Sequence, residues 1–263
     1  MIRPIAHILN AVRVNSIVFQ RVDGRPAWVK RRRTGMGPVI ACGNLFLEAS
    51  KARIRMFPAS RDWQDWESQC FRLLNADSYR CGIKGQDVFW SEPLPGVSLK
   101  ACLEAGGLTD AMLRSAAQEF RRVHALNRPR VGGPWSHGDP ALANLLYEER
   151  TARSRFIDFE TIHEQGLSAD ERHADDLLVF LLDLLGRAPD ASWLGSASVF
   201  LAAYGRPSVA RELQSRLKLP SGLERLLWVA RAAGSDARQL GRRIAALSRL
   251  KGQGGPEGEC GES

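Results

Sequence analysis

The sequence predicts an α+β fold of two lobes, a small antiparallel sheet with one main helix followed by a mostly helical half. Three observations carry this. Strand-like runs flank an Asp23-Gly24 step, Pro93-Leu94-Pro95-Gly96 interrupts the chain, and beyond that break apolar residues recur at helical spacing. The expected division is an N-terminal lobe over 1–95, a C-terminal lobe over 96–251 and a disordered tail over 252–263, where Gly and Glu dominate.

Taken in order, Ile5, Ile8, Leu9 and Val12 have the period of a short amphipathic helix. Ser16 to Val22 and Ala27 to Arg32 read as a hairpin around the Asp-Gly turn. Val39 to Cys42 and Ala52 to Phe57 read as further strands, and Asp62 to Leu74 as a helix with Trp63, Trp66, Cys70, Leu73 and Leu74 on one side. Val88 to Glu92 gives one more strand before the Pro-Gly break. Thr109 can cap a helix whose apolar stripe runs from Leu113 to His124, ended by Asn127-Arg128-Pro129. Leu142 to Tyr147 and Arg155 to Phe159 read as two short strands around a polar turn. Ala174 to Leu185 is apolar on nearly every side, as in a helix buried within a core. Asp175 and Asp176 sit at its expected start, where exposed N–H groups favour a carboxylate.

With 44% apolar and 25% charged residues, the composition excludes a largely disordered chain. The net charge of +8 asks for an acidic partner. Nucleic acid is not expected, since the arginines are scattered and no recognition motif accompanies them. Five cysteines with no CxxC pair suggest neither a disulfide framework nor a zinc site, which fits a cytoplasmic setting. The first residues lack the apolar core of a secretory signal, and Leu177 to Leu185, interrupted by Asp183, is far shorter than a bilayer span. The face around Arg238 to Lys251 reads as a solvated helix side, with peripheral contact to anionic lipid at the inner membrane face as the alternative.

The residues that carry chemistry lie in Trp135-Ser136-His137-Gly138-Asp139-Pro140, continuing to Asn144, and in Phe156-Ile157-Asp158-Phe159-Glu160. Phosphoryl transfer from a nucleotide leaves a protein mainly two tasks, positioning a hydroxyl and neutralising phosphates with metal. One loop carrying Asp139 and Asn144, beside a strand delivering Asp158, places a hydroxyl-orienting carboxylate next to two metal-binding oxygens.

His-Gly-Asp-x4-Asn followed by Ile-Asp-Phe-Glu resembles the catalytic loop and metal-binding motif of the protein-kinase-like phosphotransferase superfamily, in the version seen in aminoglycoside phosphotransferases and lipopolysaccharide-core sugar kinases. The resemblance covers roughly Phe19 to Leu185. It implies a bilobal protein-kinase-like fold and the use of ATP and Mg2+, with Asp139 catalytic and Asn144 and Asp158 on the metal. Lys30 in Trp28-Val29-Lys30 would contact the phosphates, and Glu67, more than Glu48, would hold that lysine. Alternation along the strand sends Lys30 and Arg32 to one face and Arg31 and Arg33 to the other. His137 and His124 are expected to pack and hydrogen-bond around the loop, and Asp176 to brace it.

Departures from the pattern bear on substrate. No Gly-x-Gly-x-x-Gly precedes Lys30. Gly138 stands where protein kinases usually carry an arginine that pairs with a phosphorylated activation loop, Glu160 replaces the glycine of Asp-Phe-Gly, and no Ala-Pro-Glu follows. The acceptor implied is a small molecule or a lipid-linked glycan, with a lipopolysaccharide-core sugar favoured by the basic charge. The alternatives are a soluble kinase of aminoglycoside or choline type and a pseudokinase acting as a binding module.

Overall fold

The computed structural model describes residues 14–75, 78–127, 133–233 and 235–250. The helix expected near residues 5–12 and the tail over 252–263 lie outside them. β1 (Asn15–Val22) and β2 (Arg25–Arg32) form the anticipated hairpin, with Val22 opposite Arg25. Asp23 and Gly24 both adopt positive φ, as the tight turn that suits strand twist requires. The chain continues through α1 (Met36–Ala49), β3 (Ile54–Met56), α2 (Ser60–Asn75), β4 (Cys81–Lys84) and β5 (Val88–Ser91). β1, β2, β5 and β4 form one antiparallel sheet in that order.

Two expectations for this lobe are corrected. Val39 to Cys42 is helical, so among the described residues the lobe holds a second helix beside the main one. The local β-branched run is overridden by tertiary docking: the Asn44 amide accepts from the Met56 N–H at 2.8 Å and donates to its carbonyl at 2.9 Å, standing in for a neighbouring strand beside β3. β3 does not join the small sheet. It pairs instead with β9 (Thr161–His163), Ile54 lying opposite His163.

After the break, β6 (Val97–Ser98), α3 (Leu99–Glu104) and α4 (Asp110–Val123) lead to a 3-10 turn at Leu142–Asn144 and then to β7 (Leu145–Glu148), β8 (Arg153–Phe156) and β9. α5 (Ala169–Arg187), α6 (Trp193–Tyr204), α7 (Pro207–Arg216), α8 (Gly222–Arg231) and α9 (Ala237–Leu250) complete the helical half. Gly96, at φ 116°, passes so near β7 that a Cβ there would lie 2.4 Å from the Tyr147 carbonyl oxygen, which explains a glycine at the crossing.

α5 starts at Ala169, earlier than Ala174, behind a Ser168–Glu171 capping box. Asp175 and Asp176 therefore lie inside the helix rather than at its dipolar start, and their burial has another cause, given below. Beneath the loop, Phe120 of α4 makes edge contacts with Phe156, Phe180 and Phe200 at centroid distances of 4.9, 5.4 and 5.3 Å. Such rings each bury a large apolar area in a fixed geometry, which makes a stiff base. On α9, Arg243 departs from the solvated reading. It is buried, donating to the Leu185 and Ala188 carbonyls and to Asp190, while Arg238, Arg242 and Arg249 remain exposed. No helix among the described residues is long and apolar enough to cross a membrane.

Candidate active site

Strand alternation aims Lys30 and Arg32 inward, as expected. Arg32 lies over the Trp63 ring at 4.6 Å and donates to the Phe57 carbonyl and to Asn15. The Lys30 Nζ meets Glu67 Oε1 at 2.5 Å, contacts Asp158 Oδ1 directly, and lies 3.6 Å from Glu160. Burial alone would lower the pKa of this ammonium, but Asp158, Glu67 and Glu160 together outweigh that and raise it, so Lys30 is a permanent cation.

Glu67 is held from α2. Trp63, one turn earlier, donates its indole N–H to Glu67 Oε2 at 2.9 Å, leaving Oε1 for Lys30. Two further indoles tie α2 to the other lobe: Trp66 donates to the Thr161 carbonyl at 3.0 Å, and Trp135 to Cys70 Sγ at 3.4 Å. The lysine, the glutamate and the loop are thus set in one frame.

The loop itself is fixed from below. Asp176 Oδ2 accepts from the His137 backbone N–H, and Oδ1 from that of Gly138, each at 2.7 Å. Burial would push the Asp176 carboxyl up, but a hydrogen bond from His124 and the loop around it hold it well below the usual carboxylate range. His124 donates from Nε2 to Asp176 and receives the Tyr204 hydroxyl at Nδ1. His137 donates from Nε2 to the Ile157 carbonyl at 3.0 Å and accepts the Asp139 N–H at Nδ1, joining the loop to the segment that bears Asp158. Burial lowers the pKa of both imidazoles, so they are neutral braces.

Two braces escaped the sequence reading. His163 bridges Ser136 and Asp175, and His173 stacks on His124 at 3.9 Å while donating to the Trp135 carbonyl. Isolated histidines carry no periodic signal that would have exposed them.

Gly138 has φ 88°, and a Cβ there would lie 2.6 Å from Thr161 Oγ1. Its identity follows from backbone geometry, beyond the absence of an arginine. Asp158 is also left-handed, at φ 70°, and lies past the end of β8 rather than at it. Such strain in a non-glycine residue gathers at functional sites. Asn144 donates from Nδ2 to the Asp139 carbonyl at 2.9 Å, which leaves Oδ1 as its available ligand atom.

Between the lobes lies a cleft of about 420 Å³. Ile17 and Trp28 of the hairpin cover it, Leu146 and Ile157 form its apolar floor, and Lys30 and Asp158 stand at its polar end with Asn144. The fold is protein-kinase-like. It rests on the β1-β2-β5-β4 sheet, the lysine–glutamate pair reaching from that sheet to α2, and the braced loop facing both. No glycine-rich turn covers the cleft among the described residues. The hairpin covers it with apolar side chains, and Asn15 at its base donates to Glu160 at 2.5 Å.

Comparison with family profiles and with curated protein sequences gives no match. Among solved structures the chain is similar to WaaP, determined in complex with acyl carrier protein, at 15% identity over 92% of each chain with a TM-score of 0.42. It is also similar to the bifunctional kinase-methyltransferase WbdD, at 16% identity and a TM-score of 0.38, over 92% of this chain and 45% of that one. With so little identity, any functional reading has to rest on this chain's own residues.

Hard divalent cations favour oxygen ligands. Asn144 Oδ1 and Asp158 suit Mg2+ in kind, and ligand oxygens of Glu67, Asp158 and Glu160 all lie within 4.8 Å of one another. Glu160 was the unanticipated member of this group. Burial, and then the Asp158 charge, push its carboxyl up to about 8. Asp139 sits half-buried at the loop's outer side, where desolvation pushes its carboxyl up to about 6. Asp158, Asp183 and Asp176 add to the shift, and Arg231 opposes it.

Proposed function

We propose that the chain is an ATP- and Mg2+-dependent phosphotransferase acting on a hydroxyl of a sugar-containing acceptor, with a lipopolysaccharide-core sugar as the leading case. The observation that carries the reading is the convergence of Lys30, Glu67, Asn144 and Asp158 on one inter-lobe cleft, with Asp139 on the loop beside it. Bound ATP supplies the phosphoryl group, and Mg2+ held by Asn144 and Asp158 offsets its charge.

The rest falls to side chains. Lys30, anchored by Glu67, donates to nucleotide phosphates, and the apolar slot under Ile17 and Trp28 takes the base. Asp139 orients the acceptor hydroxyl and accepts its proton. Its raised pKa makes it a better base than an ordinary carboxylate while leaving it mostly ionised at neutral pH. A small acceptor is favoured over a peptide because β9 and a short turn lead directly from Glu160 into α5, leaving no long docking segment.

The test is an ATP-consumption assay against a panel of sugar acceptors, with Mg·ATP binding followed by thermal shift. Asp139→Ala is expected to lose at least about two orders of magnitude in turnover while keeping the stabilisation by nucleotide. Unchanged turnover in the variant, or a wild-type melting point indifferent to Mg·ATP, rejects the proposal.

A further inference from the structure

α8 packs toward the loop through Leu227. Leu227 packs on Ile54 and Ala52. The Cγ2 of Ile54 in turn lies 3.4 Å from the point where a Cβ on Gly138 would stand. Arg231 is one helical turn beyond Leu227 and shares its face. Its backbone is clamped, because Gly186 of α5 approaches so closely that a Cβ there would lie 2.1 Å from the Ala232 carbonyl oxygen. Ser235 adds hydrogen bonds to the Gly186 carbonyl at 2.9 Å and the Ala232 carbonyl at 2.7 Å.

Arg231 differs from three other arginines of the helical half. Arg187 holds Asp183, Arg216 holds Asp175 and Arg243 holds Asp190. Among the described residues no carboxylate lies within ion-pair distance of Arg231, although it is half-buried. The planar fork of a guanidinium that no carboxylate holds in an ion pair suits a phosphate or carboxylate. The charge field points the same way. Asp139, Asp158, Asp176 and Asp183 surround the loop with negative charge, and the guanidinium of Arg231 is the charge that acts most on the Asp139 carboxyl. Asp139 lies outside the lining of the nucleotide cleft, whereas Asn144 and Asp158 are part of it. An anion on Arg231 therefore belongs on the acceptor's side.

We infer that Arg231 anchors an anionic substituent, a phosphate or carboxylate, on the sugar whose hydroxyl faces Asp139. This rests on the phosphotransferase reading and deepens it by naming the acceptor's chemical class.

Isothermal titration with glucose 6-phosphate, glucuronate and glucose, each with and without saturating Mg·AMP-PNP, tests the inference. Wild-type protein is expected to bind the two anionic sugars at least about tenfold more tightly than glucose, as a charge-assisted bidentate contact provides. Arg231→Gln should erase that preference and leave Mg·AMP-PNP affinity unchanged, and Arg231→Lys should keep part of it. Equal affinity of wild type for charged and neutral sugars overturns the inference, as does a preference that survives in Arg231→Gln. Weakened Mg·AMP-PNP binding in Arg231→Gln also overturns it, by assigning the guanidinium to the nucleotide. If Arg231→Gln melts early, Arg231→Lys decides: no preference for charged sugars in the wild type over this variant sinks the assignment. Failure of the phosphotransferase reading shows separately, as wild-type protein that does not bind Mg·AMP-PNP.

Discussion

Asp176, buried in α5, accepts the backbone N–H of His137 at 2.7 Å, and its second oxygen takes the N–H of Gly138 at the same distance. With His124 as third donor, both oxygens are engaged as acceptors. Asp176→Asn turns one of them into an N–H donor facing another donor. The expected result is a stability loss of about 1–3 kcal/mol and a fall in kcat larger than any loss of nucleotide affinity, because the two braced N–H groups directly precede Asp139. Chemical denaturation together with steady-state kinetics checks this; a variant with wild-type kcat would show that the brace does not position the loop.

Lys30 is the cation between Glu67 and Asp158, so its removal strands these buried acidic groups against one another. Lys30→Met is expected to lose about 3 kcal/mol of stability, at the low end for a broken buried pair because Asp158 keeps 33% of its side-chain exposure. Adding Glu67→Gln should restore part of the loss, since it removes one of the stranded charges. Urea unfolding of the two single variants and the double variant measures the coupling. Additive effects would mean that the lysine and glutamate do not act as a pair.

That pair was legible in the sequence only through the family resemblance, which implied Lys30 and Glu67. Strand alternation added only the face that Lys30 shares with Arg32. Asp139, Asn144 and Asp158 were singled out by their spacing in His-Gly-Asp-x4-Asn and Ile-Asp-Phe-Glu. What was not legible depends on contacts distant in sequence. Val39 to Cys42 spells a strand, yet Asn44 docks that segment on β3 as a helix. β3 pairs with β9 across more than a hundred residues, and nothing local announces it. His163, His173 and Glu160 earn their places through partners that no spacing predicts. Arg243 looked solvated for the same reason, since the carbonyls it meets lie at the far end of α5.

Gly138 offers a test of backbone geometry alone. Gly138→Ala meets both a left-handed φ of 88° and a Cβ position 2.6 Å from Thr161 Oγ1. A stability loss of about 1–3 kcal/mol is expected, with reduced turnover. Thr161→Ala in the same chain should recover part of the loss by removing the obstructing hydroxyl, while the φ cost persists. Melting temperatures of the pair decide, and full recovery would show that the positive φ carries no penalty here.

The pH dependence of turnover reports on Asp139. Desolvation holds its carboxyl at about 6, so the ionised form that accepts a proton gains as pH rises through that value. kcat/KM should therefore climb on the alkaline side of pH 6 and level off near neutrality. Asp158 cannot account for such a limb, because Lys30 keeps its carboxyl below the usual range and it stays ionised throughout. Arg231 supplies the sign test. Its positive charge favours the Asp139 carboxylate, so Arg231→Gln raises the pKa and moves the ascending limb to higher pH, even for an acceptor that carries no charge. A profile that is flat between pH 5 and 8, or a limb that moves to lower pH in Arg231→Gln, removes Asp139 from the role of base.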